Sequence, residues 1–213
     1  MHKGIFITGT DTGIGKTYIA CSLAKALKSN KIRFGVMKPI ATGDRKDAEK
    51  LLSASGIKED IDLVNPIFLK YPLAPLVSAE LENKSIEMDL VWKSFKKLKK
   101  KYEFLLVEGI GGLMVPIKRN FFVLDMIKKF SLPVLVVARP FLGTINHTLL
   151  TVDKLVQKKI KVLGIVFSSG EKLTLAEKTN SEIIKNLTGL PVIEVLDEEE
   201  INLKNNLWLI GKK

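Results

Sequence analysis

The chain is poor in the residues that build disulfide frameworks and most metal centres: its 213 residues include one cysteine and two histidines. A single cysteine excludes an intrachain disulfide and any metal site built on a Cys-x-x-Cys pair. No apolar run has the length needed to cross a bilayer, and the short first apolar segment is unlike the hydrophobic region of a secretion signal. These absences predict a soluble cytoplasmic protein that has no membrane partner.

Acidic residues are fewer than basic ones, 23 against 34, so the formal net charge is +11. A basic balance is compatible with small anionic substrates and with nucleic acid, and does not choose between them. Lysines are dense between Lys93 and Lys101, which we interpret as a solvated helix face rather than a nucleic-acid groove. We expect no nucleic-acid partner. The length and the 46% of hydrophobic residues fit one domain, residues 1–213.

A glycine-rich stretch, GTDTGIGKT at residues 9–17, follows an apolar run and precedes a run with helical spacing. That is the context of a phosphate-binding P-loop, in which backbone N–H groups and the helix start face phosphate oxygens. Lys16 would reach the β- and γ-phosphates, and the Thr17 hydroxyl would bind Mg²⁺. The spacing departs from the usual pattern, because the first glycine is Gly9 and residue 10 is threonine. The alternative is an ordinary glycine-rich turn with a solvated lysine.

Apolar runs typical of buried strands alternate with stretches of helical spacing. The predicted strands cover residues 4–8, 33–37, 104–107, 132–138, 162–167 and 192–195. The predicted helices cover residues 18–27, 47–52, 85–101, 121–130, 145–158 and 174–187. This alternation indicates an α/β fold of the P-loop NTPase type, a three-layer sandwich with a mostly parallel central sheet flanked by helices.

Two segments between these elements are predicted to be irregular. Residues 38–43, KPIATG, follow the second strand, and their proline and glycine leave Lys38 and Thr42 on a loop. Ligands of open parallel sheets bind at this carboxyl edge, so both side chains are candidates for a binding site. Residues 60–75 contain three prolines and are predicted to be an irregular functional segment.

Two carboxylates near strand ends are candidates for completing a magnesium site with Thr17. Glu108 comes directly after the third predicted strand, as the acid of a Walker B element does, and Asp47 follows the second. Mg²⁺ takes few protein oxygens besides water and phosphate oxygens, so one hydroxyl and two carboxylates suffice. The alternatives are a strand-end acid satisfied by backbone N–H groups for Glu108, and a helix N-cap for Asp47.

Six short motifs in a fixed order resemble the dethiobiotin synthetase family, ATP-dependent enzymes that close the ureido ring in biotin biosynthesis. The motifs are TGTDT at 8–12, GKT at 15–17, KPIATG at 38–43, NP at 65–66, VEGIGG at 107–112 and LGTINH at 142–147. The opening motif of this family has the extra residue, so the irregular P-loop spacing supports the resemblance.

The resemblance implies a cyclo-ligase that uses ATP as co-substrate, Mg²⁺ as cofactor, and 7,8-diaminononanoate and CO₂ as substrates. Lys16 and Lys38 would be catalytic, with Lys38 stabilising a carbamate and the phosphoryl group that passes to it. Nucleotide contacts would come from Thr12, Gly13, Ile14, Gly15, Lys16, Thr17 and Glu108. Metal ligands would be Thr17, Asp47 and Glu108. Substrate contacts would come from Thr12, Lys38, Thr42, Gly111, Gly143, Thr144 and Asn146.

The resemblance also implies a homodimer whose substrate site lies at the subunit interface. The helix start at residues 143–146 would hold the substrate carboxylate near the site of a partner subunit. His147 is expected to pack or hydrogen-bond near that helix start rather than to act as a general base.

One position departs from the family pattern. After the fifth strand the family usually has an asparagine that reads adenine, whereas this chain has Ser168-Ser169-Gly170. We therefore expect phosphate and metal contacts to dominate nucleotide binding, with a weak or altered preference among bases.

Two other P-loop classes fit the sequence less well. Nucleotide switches of the ParA/MinD type carry a signature lysine early in the loop, where this chain has Asp11. Synthetases of the cobyrinate type normally bring a glutaminase domain, for which 213 residues leave no room.

Overall fold

The computed structural model describes residues 3–168, 175–195 and 201–211. In chain order the elements are β1 (Gly4–Gly9), α1 (Lys16–Ser29), β2 (Phe34–Met37), β3 (Ile40–Thr42), α2 (Lys46–Ser55), α3 (Ile61–Val64), β4 (Ile67–Leu69), α4 (Pro75–Leu81), α5 (Met88–Lys101), β5 (Phe104–Gly112), β6 (Pro116–Lys118), β7 (Phe121–Phe122), α6 (Val123–Phe130), β8 (Val134–Ala138), α7 (Thr144–Gln157), β9 (Val162–Ser168), α8 (Leu175–Thr188), β10 (Val192–Val195) and a short 3-10 helix (Leu207–Ile210).

Six of these strands form one sheet in the order β10, β9, β8, β1, β5, β2, and every neighbouring pair is parallel. The central strand β1 is buried along its whole length, with Ile5 opposite Leu106 of β5 and Phe6 opposite Val134 of β8. Strands with helices on both faces need apolar side chains in both directions, which explains their continuous apolar sequences. The predicted parallel α/β fold is confirmed.

Successive side chains of β1 enter two separate cores. Ile5 and Ile7 pack with α1 and α2 on one face of the sheet, together with Leu23 and Leu51. Phe6 faces the other way, toward α5 to α8, and its ring centroid lies 5.4 Å from that of Phe130. These two cores fix the sheet, and the carboxyl ends of β1, β2 and β5 then converge on the region where β1 passes into α1.

The prediction of a loop at residues 38–43 is wrong for its second half. Strand β3 pairs in parallel with β4, and both are three residues long. Residues 60–75 also contain α3 and β4 rather than a wholly irregular chain. Elements of three or four residues are too short to show a hydrophobic periodicity. Strands β3 and β4 form because they pair with each other, which a local sequence pattern does not indicate.

Strand β5 continues to Gly112, five residues beyond its predicted end at Val107. Glu108 therefore lies within the strand, and the interpretation of it as a strand-end acid is wrong. The second half of β5 contains glycines, which are unfavourable in strands, so the sequence pattern does not predict this part of the strand. Gly112 nevertheless pairs with Gly9 of β1. Helix α5 begins at Met88, three residues later than predicted, and α4, β6 and the 3-10 helix have no sequence prediction. The first two residues of the helix predicted at 121–130 form β7 instead.

Across the described ranges, no helix combines the length and apolar character that a bilayer crossing requires.

Candidate active site

The stretch 9–17 joins β1 to α1, as predicted for a P-loop. Gly15 is the N-cap of α1 and has φ of +94°, a left-handed conformation that favours glycine. A Cβ atom at this position would lie 2.3 Å from Ser168 Oγ at the end of β9. The loop therefore needs glycine here both for its backbone conformation and for the close approach of β9.

Lys16 is the first residue of α1 and is 7% exposed. Its ammonium donates a hydrogen bond to the Asp11 carbonyl oxygen at 2.7 Å. Burial, assisted by the positive charge of Lys38, lowers the pKa of Lys16 to about 8. In the part of the chain that the structure describes, Lys16 forms no direct ion pair. It is a buried cation with spare capacity for an anion.

Lys38 follows β2 and is 3% exposed. Its ammonium donates to Glu108 Oε1 at 2.5 Å, to Asp47 Oδ2 at 3.1 Å and to the Gly109 carbonyl oxygen at 3.1 Å. Burial acts to lower the pKa of Lys38, but the two carboxylates outweigh it and raise the pKa above its ordinary value. Three acceptors match the three N–H donors of an ammonium, so Lys38 is fully paired.

Glu108 is fully buried in β5. Its Oε1 accepts hydrogen bonds from Lys38 and from the Thr17 hydroxyl, the latter at 2.7 Å. Its Oε2 is buried and has no hydrogen-bond partner among the residues that the structure describes. An unpartnered carboxylate oxygen in a dry site is costly, and a free oxygen on a carboxylate whose other oxygen binds the Thr17 hydroxyl has the chemistry of a cation ligand.

Asp47 is the second residue of α2, whose N-cap is Arg45, so the interpretation of Asp47 as an N-cap is wrong. Burial acts to raise the pKa of Asp47, but the Lys38 ammonium lowers it below its ordinary value. Together with Thr17 and Glu108 it completes a set of hard oxygen donors, the type that Mg²⁺ prefers. Among the described residues, no three His, Cys, Asp or Glu side chains are grouped so that they could hold a metal ion, and the predicted set instead has two carboxylates and one hydroxyl.

These side chains surround one cavity of about 330 Å³ at the carboxyl edge of the sheet. It is lined by Thr12, Gly13, Gly15, Lys16, Thr17, Tyr18, Lys38, Ala41, Thr42, Asp44, Asp47, Pro72, Glu108, Ile110 and Gly111. Ten of these residues are among the predicted site residues. Tyr18, Ala41, Asp44, Pro72 and Ile110 are additions. Ile14 is predicted to bind nucleotide, and its side chain is instead buried in a core, which leaves its backbone for that role.

The predicted residues of α7 lie apart from that cavity. Thr144 lines a neighbouring cavity of about 210 Å³, which shares Thr12 with the first. His147 is exposed and lines the same second cavity. Gly143 and Asn146 are exposed at the same helix start, outside the first cavity.

Arg139 is a residue that the sequence reasoning missed. It follows β8, and its guanidinium donates a hydrogen bond to the Gly13 carbonyl oxygen. The carbonyl of Gly13 and the N–H of Ile14 belong to one planar trans peptide and point in opposite directions. Arg139 thereby fixes the orientation of one N–H group in the P-loop. A lone arginine after a strand carries no sequence signal for such a role.

The sequence has Ser168-Ser169-Gly170 where the family usually has an adenine-reading asparagine. Of these three residues, Ser169 and Gly170 lie outside the described residues. Ser168 ends β9 beside Gly15.

The chain matches the AAA domain family over residues 3–202. It is 46% identical over 215 residues to the ATP-dependent dethiobiotin synthetase BioD of Endomicrobium trichonymphae, covering 99% of this chain and 100% of the relative. It is 44% identical over 202 residues to the enzyme of the same name from Methanocaldococcus jannaschii, covering 92% of this chain and 94% of that one. The chain belongs to the dethiobiotin synthetase family. The family predicted from the six motifs is confirmed.

Similarity to solved structures extends the fold beyond this dethiobiotin synthetase family. A DUF1611 family protein from Anabaena variabilis is 16% identical and superposes with a TM-score of 0.55. The match covers 96% of this chain and 54% of that chain, so the chain spans about half of that protein. At this identity the likeness shows a shared α/β architecture only.

Proposed function

We propose that this protein is an ATP-dependent dethiobiotin synthetase, which carboxylates 7,8-diaminononanoate with CO₂ and closes the ureido ring. Its membership of the family supports this function. The observation that carries it is the meeting of Lys16 and Lys38 with Thr17 and Glu108 around one cavity. Two cations from separate segments suit a reaction between two anions: Lys38 is held by carboxylates, and Lys16 has no ion pair among the described residues.

The reaction has three steps. One substrate amine attacks CO₂ and loses a proton, giving a carbamate. A carbamate oxygen attacks the γ-phosphorus of ATP and displaces ADP, which leaves a carbamic-phosphoric anhydride. The second amine attacks the carbonyl carbon, loses a proton and expels phosphate, which closes the ring. Negative charge grows on carbamate and phosphoryl oxygens, so the enzyme chiefly supplies cations and aimed N–H groups. Ring closure is intramolecular, and positioning is its main requirement.

In this proposal the P-loop binds the triphosphate of ATP. The backbone N–H groups of residues 13–17 and the start of α1 surround the phosphates, and Lys16 neutralises them. Burial makes the free Lys16 ammonium costly, so a bound phosphate replaces the water that the ammonium lost. Thr12 contributes at the junction of the two cavities.

Mg²⁺ would be held by Thr17, Asp47 and Glu108. Two observations support this assignment: Glu108 Oε1 accepts from the Thr17 hydroxyl, and Glu108 Oε2 is buried without a partner among the described residues. When bound, the ion offsets negative charge on the β- and γ-phosphate oxygens.

Lys38 would hold the carbamate in exchange for one of its three present acceptors, and Thr42 and Gly111 line the same cavity. The substrate carboxylate would bind at the start of α7 in a partner subunit, at Gly143, Thr144 and Asn146, since a helix N-terminus favours an anion. This assignment makes the protein a homodimer. A single domain and a cytoplasmic location remain predictions.

The function is tested by following ADP release when diaminononanoate and bicarbonate are added with ATP, and by weighing the product. We expect one ADP for each dethiobiotin, and no ADP release without the diamine. ADP release that DNA or lipid stimulates, with no dethiobiotin formed, would instead support a nucleotide switch. The same assay with GTP and CTP tests the expected weak base preference, which a strict requirement for ATP would contradict.

A further inference from the structure

Asn65 is a fully buried polar residue between α3 and β4. Its side-chain amide donates two hydrogen bonds to backbone carbonyl oxygens, to Lys38 at 2.7 Å and to Ile67 at 3.2 Å. The opposite amide orientation would direct an oxygen at two acceptors, so these contacts fix the NH₂ group on this side. Asn65 therefore contacts the backbone of the lysine that binds both site carboxylates.

The backbone of Lys38 has few other anchors. Its N–H donates to the Val64 carbonyl oxygen at 2.9 Å. The next residue is Pro39, which has no N–H, so the Lys38 carbonyl is the only group of that peptide that can be held. The Asn65 amide binds this carbonyl. Residues 64 and 65 thus bind both the N–H and the carbonyl group of Lys38, in the segment between β2 and β3.

The same residue also connects to the helix that carries Asp47. Arg45, the N-cap of α2, donates to the Asn65 carbonyl oxygen at 3.4 Å and pairs with Asp62 at 2.6 Å. Asn65 therefore contacts both the backbone of Lys38 and the start of α2, the helix that carries Asp47. Glu108, the other carboxylate that binds the Lys38 ammonium, is held in place by strand β5 of the central sheet.

We infer, on the basis of the proposed function, that Asn65 is a positioning residue that sets the Lys38 ammonium at the reacting end of the cavity. It does not line the cavity, and the hydrogen bonds described above connect it to the Lys38 backbone, to β4 and to Arg45. Its loss should therefore impair turnover while leaving nucleotide binding intact.

Asn65→Asp tests this role with little change in size. A carboxylate oxygen replaces the NH₂ group and faces two carbonyl oxygens, which repels the Lys38 backbone. Since displacement of a reacting group by about 1 Å can cost about a hundredfold in rate, we expect kcat to fall by about that factor. We expect the KM for ATP to stay within about twofold, because Asn65 does not contact the P-loop. Asn65→Ala gives the same test if Asn65→Asp does not fold.

Ser55→Ala is the matched control. Its hydroxyl is also buried, donates to the Leu52 carbonyl oxygen at 2.6 Å and accepts from the Ile57 N–H at 3.2 Å, but has no link to Lys38. We expect lower stability with kcat within about twofold of wild type. Equal losses of kcat in Ser55→Ala and the Asn65 variants would overturn the role, as would an unchanged kcat in the Asn65 variants.

A crystal structure of Asn65→Ala gives a readout that does not depend on activity. We expect the Lys38 ammonium to lose its contact with Asp47 or Glu108, and retention of both contacts would overturn the role. Wild-type protein that makes no dethiobiotin would refute the proposed function instead, and the position of Lys38 in the variant would still test the positioning role.

Discussion

The P-loop and the Lys38 segment each place a buried lysine at one cavity, and the two lysines have opposite electrostatic surroundings. Lys16 donates to a backbone carbonyl oxygen, and burial lowers its pKa to about 8. Lys38 is buried as deeply, but the carboxylates of Glu108 and Asp47 raise its pKa above the ordinary value. Burial acts to lower the pKa of both lysines, and the difference lies in whether carboxylates in direct contact offset it.

The two surroundings suit the two lysines to different ligands. A buried cation without a carboxylate partner is stabilised when an anion arrives, which suits Lys16 to the phosphates of ATP. A buried cation already held by carboxylates keeps its charge and position before any ligand binds, which suits Lys38 to the weaker charge of a carbamate. Substitutions in each region test this difference.

Lys38→Ala is expected to have the largest effect, since it should abolish synthesis and also weaken the fold. Removing Lys38 leaves Glu108 as a buried charge without its ion-pair partner, which costs about 3 kcal/mol or more of unfolding free energy. Urea unfolding and the dethiobiotin assay measure the two effects. Full activity would remove Lys38 from the mechanism, and unchanged stability would show that Glu108 does not need its partner.

Lys16→Ala is expected to reduce synthesis roughly a thousandfold, as loss of a charge-stabilising group at a transition state does. Its stability should stay near that of wild type, since a costly buried cation without a direct ion pair is removed. The same two assays apply. A loss of stability as large as that of Lys38→Ala would abolish the contrast between the two lysines.

Gly15→Ala tests whether the P-loop depends on close packing against β9. The added Cβ would lie 2.3 Å from Ser168 Oγ and would occupy a left-handed conformation. We expect a stability loss of about 1–2 kcal/mol from the backbone alone, and weaker ATP binding by calorimetry. Gly189→Ala is the control, because Gly189 has φ of +64° with no atom near the added Cβ. The account would be contradicted by equal ATP binding in both variants.

The pKa of Cys21 provides a separate test of how burial shifts ionisation, with a small expected effect on stability. Burial, together with the negative charge of Glu108, raises the pKa of Cys21 to about 11, the opposite direction to Lys16 because the charged form is an anion. The folded thiol keeps its proton to about pH 11, whereas the unfolded thiol loses it near 9.0, so folded stability falls as pH rises between these values.

Comparison with Cys21→Ala isolates this contribution. The stability advantage of wild type should shrink by about 1 kcal/mol between pH 9 and pH 11, less than the full shift because the thiol is partly solvated. Thermal or urea unfolding at the two pH values measures it. Parallel pH dependence of the two proteins would show that the helix α1 face is not desolvated.

The central sheet and the P-loop could be predicted from the sequence because each depends on local patterns. Long apolar runs identify strands such as β1, and GKT after a strand identifies Lys16 and Thr17. The β3–β4 pair could not be predicted, since it consists of two three-residue strands whose paired residues, such as Thr42 and Leu69, lie 27 positions apart in the chain. The residue Asn65 gains its role only from that pairing.

The polar contacts of the site show the same limit. The sequence identifies Lys38, Asp47 and Glu108 as candidate site residues, but it does not show that the Lys38 ammonium lies between the two carboxylates. That geometry depends on the register of β5 against β2, where Val107 lies beside Met37. Arg139 depends on a contact 126 residues away in the chain, at Gly13.

The division of work between the two lysines is tested most directly by carbon-13 NMR of carbamate formation without ATP, using diaminononanoate and labelled bicarbonate. We predict an enzyme-bound carbamate signal with wild type and with Lys16→Ala, and none with folded Lys38→Ala. A carbamate signal that persists in Lys38→Ala, or that disappears in Lys16→Ala, would contradict the account.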